Sequence, residues 1–178
     1  MAVWCLFYVE NSYDGMNEIK LYNSLLDAME IEGKKYDNIE HIICSHCNMT
    51  HLPRLPTNLK ALNCSYNRLT TLTNLPKSLK ILKCQRNYIS KLINLPNLNQ
   101  LNCSFNRLHH LEIPPTLFEL RCVHNCLTEL YIPNSLMELH CHKNKFLRLC
   151  HFPNSLRILH CSKYQLSIIP DVHSLIIV

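Results

Sequence analysis

The chain has 178 residues, a length that fits one domain, and with 47% hydrophobic and 17% charged residues it does not read as a disordered chain. The formal charge of +5 favours an acidic partner only where cations cluster, and no run of like charges forms a basic tail. No stretch approaches the ~18 consecutive apolar residues of a membrane-spanning helix, so no membrane partner is expected.

The first apolar stretch, Ala2 to Val9, has no preceding basic residue and runs into Glu10 and Asn11 without a small-residue cleavage site. It therefore reads as a buried N-terminal strand and not as a signal peptide. Val3, Cys5, Phe7 and Val9 alternate as a strand requires. The next segment, Asn17 to Ile31, places Ile19, Tyr22, Leu25, Leu26 and Met29 on or near one helical face, with Gly33 as its stop, and predicts a short amphipathic helix. Residues 1–38 together are expected to form a small α/β cap at the N-terminal end of the domain.

From residue 39 the chain repeats itself. Cys44, Cys64, Cys84, Cys103, Cys122, Cys141 and Cys161 are separated by 20, 20, 19, 19, 19 and 20 residues. Two residues before each stands Ile42 or a leucine, and five before stands Ile39 or a leucine. Three after each stands Cys47, Asn67, Asn87, Asn106, Asn125, Asn144 or Tyr164. The unit is L-x-x-L-x-C-x-x-N-x-L, and most units continue into an L-P or I-P step such as Leu75-Pro76 or Ile113-Pro114. With only 2 Gly against 9 Pro, turns fall to Pro and Asn.

The alternation in L-x-C points Leu and Cys to one side of a strand. One such strand cannot bury its face alone, whereas stacked copies form a parallel sheet over a continuous core. A unit of 19–20 residues leaves no room for a long return helix, and Pro favours an extended or short 3₁₀ return path. The Asn amide is expected to bond backbone groups of its own and neighbouring turns.

These residues resemble the leucine-rich-repeat family over about residues 39–178, as some seven units and a partial eighth. The short L-P-containing type is the nearest form. N-L-K-A-L-N-C-S-Y-N-R-L-T-T-L, with Cys in the ladder and abundant Asn and Ile, looks most like the repeat proteins of giant amoeba-infecting DNA viruses, with those of bacterial effectors second. The resemblance implies a solenoid with a parallel sheet on its concave side, and a host cytoplasm as its setting if the source is viral.

Eleven cysteines would suggest a disulfide framework in a secreted protein. Seven of them, however, are explained by repeat position. In-register strands ~4.8 Å apart hold Cβ atoms too far apart for the ~3.8 Å of a disulfide, and a line of parallel thiols does not converge on a zinc ion. A core of free thiols in a reducing, cytoplasmic compartment is expected. Cys44-x-x-Cys47 falls on two repeat positions and has no second C-x-x-C to complete a zinc site. Cys126 and Cys150 lie off the ladder.

The outward strand positions define the candidate binding surface. One column reads Ile43, Asn63, Lys83, Asn102, Arg121, His140, His160; a second reads Ser45, Ser65, Gln85, Ser104, Val123, His142, Ser162. A third reads His46, Tyr66, Arg86, Phe105, His124, Lys143, Lys163, and the column before these carries Glu119 and Glu138. The candidate binding residues are thus Tyr66, Lys83, Arg86, Phe105, Arg121, His124, His140, His142, Lys143, His160 and Lys163. His140, His142 and His160 could approach one metal ion, but Lys143 beside them argues against it, and neither metal nor cofactor is expected. No Gly-rich phosphate loop or G-x-S-x-G occurs, and the catalytic domains of some bacterial repeat effectors would need more chain than remains after the repeats. The expected role is a non-catalytic protein-binding module whose concave face meets an acidic partner surface. The alternative is nucleic acid or another polyanion on the same face, with Tyr66 and Phe105 stacking on bases. The apolar end Leu175-Ile-Ile-Val178 matches the first positions of an eighth unit, and would be covered by the tail folding over the stack or by a homodimer through that edge.

Overall fold

The computed structural model describes residues 5–10, 19–22, 39–146, 152–162 and 174–177. Each L-x-C segment forms a short strand. These are β3 (His41–Ile43), β4 (Ala61–Asn63), β5 (Ile81–Lys83), β7 (Gln100–Asn102), β9 (Glu119–Arg121), β10 (Glu138–His140) and β11 (Ile158–Cys161). Neighbouring strands pair parallel and in register, so that Leu62 faces Leu82, Leu82 faces Leu101 and Leu120 faces Leu139. A second, two-stranded parallel sheet, β6 (Lys91–Leu92) with β8 (His110–Leu111), lies further along two of the units. This is the expected solenoid. Among the described residues it contains no helix.

Two expectations change at the ends of the main sheet. β1 (Cys5–Glu10) is a strand as its alternation predicts, and it pairs antiparallel with β3, Val9 opposite Ile42. The helix expected over 17–31 does not hold at its start, because Ile19–Tyr22 form strand β2, antiparallel to β1 with Phe7 opposite Lys20. Ile19-Lys20-Leu21-Tyr22 also alternates with period two, and pairing along β1 satisfies backbone groups that a helix start leaves open. The rest of that span, and Val3, lie outside the described residues. At the other end β12 (Ser174–Ile177) pairs parallel with β11, Leu175 opposite Leu159 and Ile177 opposite Cys161. Leu175 thus takes the second apolar position of its unit rather than the first, and Ile177 takes the ladder position.

The core is the repeat pattern made physical. Leu59, Leu79, Leu98, Leu117 and Leu136 are fully buried, as are Leu82, Leu120 and Leu139 on the strands and Leu69, Leu108 and Leu127 beyond them. The ladder cysteines from Cys64 to Cys141 are buried free thiols, and Cys126, off the ladder, is half-buried. Burial pushes the Cys84 thiol up to about 12. It also raises Cys64, Cys103, Cys122 and Cys141 well above the usual thiol range, with a neighbouring thiol as the second cause. Such thiols stay protonated and unreactive. Cys150 lies outside the described residues.

Two ladders of side-chain hydrogen bonds tie each turn to the one before. In the first, Asn106 Nδ2 donates to the carbonyls of Cys103, 3.1 Å away in its own unit, and Cys84, 3.0 Å away in the preceding unit. Its Oδ1 accepts from the N–H of Ile89 at 3.0 Å. Asn67, Asn87, Asn125 and Asn144 repeat this bridge. The second ladder runs on the return side. There a Pro carbonyl accepts from the N–H three residues on, as in Leu79 to Pro76 and Leu136 to Pro133, both 3.1 Å. Each such turn is a single bend, and no 3₁₀ helix occurs among the described residues. The Ser or Thr before the first Leu donates back to the previous turn: Ser78 Oγ to Leu59 O at 2.8 Å, Thr116 Oγ1 to Leu98 O at 2.8 Å and Ser135 Oγ to Leu117 O at 2.6 Å.

One position recurs unit after unit in the left-handed region, and Asn48, Asn74 and Asn94 adopt it as well. His46, Tyr66, Arg86, Phe105, His124 and Lys143, each two residues after a ladder Cys, have φ between 55° and 61°. None is Gly, so each carries the Cβ penalty of that conformation, roughly 1–2 kcal/mol. The bend lets the N–H reach the neighbouring turn, as from Tyr66 to Gln85 O at 2.9 Å and Phe105 to Val123 O at 2.7 Å. It also turns the side chain outward as the chain leaves the strand.

Two substitutions probe these bridges and bends. Asn106→Ala removes both sides of a buried bridge and is expected to lower unfolding free energy by about 2–3 kcal/mol in urea titration; a loss below about 0.5 kcal/mol contradicts the bridging role. Phe105→Ala and Phe105→Gly both delete the ring, but only Gly relieves the backbone. Phe105→Gly is expected to be the more stable by about 1 kcal/mol, and the reverse order contradicts the left-handed assignment.

Candidate functional site

In-register pairing turns each sequence position into a column running along the solenoid. The column of left-handed residues is built as a continuous stack. The His46 and Tyr66 rings lie 4.2 Å apart and nearly parallel. The Arg86 guanidinium lies 5.3 Å from the centre of the Tyr66 ring and 4.5 Å from that of Phe105. Phe105 stacks in turn on His124, with centres 5.1 Å apart. The spacing is that of adjacent strands, ~4.8 Å, so the sheet itself sets the stacking distance. Tyr66 is 43% exposed and Phe105 38%, yet both faces of each ring are covered by a neighbour. The stack therefore offers solvent its ring edges and the Arg86 fork.

The column one residue after the ladder Cys departs from the sequence reading. Ser65 is 2% exposed and Ser104 6%, and Ser162 is buried as well. Small side chains here are covered by the larger ones beside them. Ser65 Oγ donates to Asn63 Oδ1 at 2.6 Å, and Ser104 Oγ accepts from the Val123 N–H at 3.2 Å. Where this column carries Gln85 and His142, Oε1 and Nδ1 respectively are buried without a hydrogen-bond partner. These positions line the wall behind the surface, and only in part the surface.

The candidate cations divide into two groups. Arg121 is held in place: its Nε donates to Glu119 Oε1 and its Nη2 to Glu138 Oε1, both at 2.8 Å. Glu138 Oε1 also meets His140 Nε2 at 2.6 Å, and the His140 ring packs on His160 with centres 4.0 Å apart. Burial lowers the His142 and His160 pKa values from the usual range, and nearby cations and the other histidines of the group lower them further. Both are thus neutral at pH 7. Arg121 is thus outweighed by Glu119 and Glu138, and with His142 and His160 neutral this part of the face adds no positive field to a partner. Among the described residues no three His, Cys, Asp or Glu side chains converge as ligands for a metal ion.

Lys83, Arg86 and Lys143 form the other group. They are exposed, and none has a carboxylate partner among the described residues. Lys163 lies outside the described residues. One column escaped the sequence reading: the residue after each Asn, which gives Arg68, Tyr88, Arg107 and Lys145 in exposed positions. Arg107 lies over the Tyr88 ring, 4.7 Å from its centre. The same repeat period marks this column, one position past the buried Asn.

No family model and no curated protein matches the chain. Among solved structures it is similar to YopM from Yersinia enterocolitica, with a TM-score of 0.62 and 30% identity over 80% of this chain and 38% of that one. YopM from Yersinia pestis, a leucine-rich effector protein, gives a TM-score of 0.62 over 78% of this chain and 48% of that one; at 24% identity that likeness is of fold alone. The leucine-rich-repeat domain of a Shigella effector gives 0.54 and 27% identity, over 85% of this chain and 84% of that one. The chain thus spans less than half the length of the two Yersinia proteins. No helix among the described residues is long and apolar enough to cross a membrane. The chain has the leucine-rich-repeat fold, and it is similar to these bacterial effector repeats.

Proposed function

We propose that the chain is a non-catalytic protein-binding module whose concave face engages an acidic surface on its partner. The observation that carries this is the division of charge on the face. Lys83, Arg86 and Lys143 stand exposed along one side of the sheet, without carboxylate partners among the described residues, while Arg121 is held by Glu119 and Glu138 and burial keeps His142 and His160 neutral. A solenoid suits such a role because it holds side chains on a fixed, extended surface. The effector neighbours support the same role, and the resemblance to repeat proteins of amoeba-infecting viruses points to a host cell as well. A row of free, buried thiols suits the reducing cytoplasm of either host.

The nucleic-acid alternative loses its stacking groups. Single-strand binding draws about 1–3 kcal/mol per base from stacking on open aromatic faces. The faces of Tyr66 and Phe105 are already occupied by His46, Arg86 and His124.

Lys83→Glu with Lys143→Glu reverses the exposed charge without touching the core. The double variant is expected to fold as the parent does and to lose, by tenfold or more, partners that the parent retains from a host lysate after nuclease treatment. Lys91→Glu, on the second sheet, is the control and is expected to retain them. Equal retention by the double variant contradicts the concave-face role, and loss of all retained material on nuclease treatment favours the polyanion.

A further inference from the structure

The rim where the chain leaves the strands carries a charge pattern that the concave face does not. Two exposed columns meet there. The stacked column holds Arg86 and Lys143, and the column after the buried asparagines holds Arg68, Arg107 and Lys145. Residues of the two columns are two positions apart along the chain, at most ~7 Å between Cα atoms. Neither column contains an Asp or Glu from residue 46 to residue 145. None of the five cations has a carboxylate partner among the described residues. Elsewhere in the described repeats some cations are paired: Lys60 meets Glu40 at 2.6 Å, and Arg121 meets Glu119 and Glu138.

The two rim arginines nearest the middle are also pre-organised. Arg86 is clasped between Tyr66 and Phe105, and Arg107 lies on Tyr88, itself 45% exposed. An aromatic face fixes the guanidinium plane and leaves its N–H edge free, so less rotamer entropy is lost when that edge binds a carboxylate through two parallel hydrogen bonds. From the unit of β4 to that of β10 is four strand steps, ~19 Å. An extended peptide of about six residues covers that span at 3.3–3.4 Å per residue, with alternate side chains facing the rim.

We propose that this rim binds an extended acidic segment of a partner protein, its Asp or Glu side chains seated on Arg68, Arg86, Arg107, Lys143 and Lys145. The occupant is a peptide and not a single-stranded nucleic acid, because the stack's Tyr66 and Phe105 rings already have both faces covered. The carboxylates Glu119 and Glu138 further along the concave surface confine an anion to the rim. The rim site rests on the proposed protein-binding role and names the chemistry of the partner.

The test is fluorescence anisotropy with the full chain at low salt, using fluorescein-labelled octaglutamate, octaglutamine and an eight-nucleotide oligo-dT. Octaglutamate is expected to bind and octaglutamine not to. The triple variant Arg68→Gln, Arg107→Gln, Lys145→Gln is expected to weaken octaglutamate at least tenfold, and Lys83→Gln to change it less than twofold. All these positions are exposed, and matching thermal melts establish that the variants are folded. Absence of octaglutamate binding, undiminished binding by the triple variant, or tighter binding of oligo-dT than of octaglutamate overturns the rim site. Loss of octaglutamate binding in Lys83→Gln but not in the triple variant also overturns it, and leaves the concave-face role standing. Retention of protein partners by the triple variant but not by the Lys83, Lys143 variant separates the two in the same way.

Discussion

Each buried asparagine amide from Asn67 to Asn144 is shared between two turns: its donor end holds a carbonyl of its own unit and one of the unit before, and its acceptor end holds an N–H of the unit before. A backbone that leaves a strand every 19 or 20 residues has many polar groups to satisfy, and in a dry core each one left unpaired is costly. The amide resolves this only if consecutive turns sit in register. Register is therefore not an outcome of packing alone; the hydrogen-bond inventory enforces it. The Ser and Thr bridges on the return side, such as Ser78 and Ser135, apply the same constraint to the opposite edge of the stack.

Everything of functional interest is a consequence of that register. Because equivalent residues lie one strand spacing apart, His46, Tyr66, Arg86, Phe105 and His124 meet as a stack without further design. For the same reason Arg121 reaches a glutamate in the next unit as easily as one in its own. Charge on the solenoid is thus sorted by column and by unit. Where cations and carboxylates fall in adjacent columns they cancel; where cations fall in columns without carboxylates, as on the rim, they accumulate. The left-handed backbone at the stacked column adds a cost in conformational energy to residues such as Tyr66 and Phe105, which glycine would avoid and which the stacking partly offsets.

Most of the fold was legible in the sequence, because one position in each unit announces the rest: seven cysteines at intervals of 19 or 20 residues locate the strands, the core leucines and the asparagines. What was not legible depended on the third dimension. The helix pattern at Ile19–Tyr22 is compatible with a strand over four residues, and a neighbouring strand decides it. Ser65 and Ser104 belong to an outward column, but their small size lets neighbours bury them. The neutralisation of Arg121 was within reach of the sequence, since aligning units sets it beside Glu138. The closed ring faces of Tyr66 and Phe105 follow from the same alignment, whereas the pairing of Leu175 with Leu159 does not, because that last unit departs from the period.

The most direct measurement of the in-register stack is pulsed thiol alkylation across a urea series, read by peptide mass spectrometry. The account predicts that Cys126 reacts in native buffer. It predicts that Cys64, Cys84, Cys103, Cys122 and Cys141 stay protected and then become labelled together, in one transition that coincides with loss of the sheet signal in circular dichroism. Rapid native labelling of several ladder thiols, or the appearance of disulfide-linked pairs among them, would contradict it.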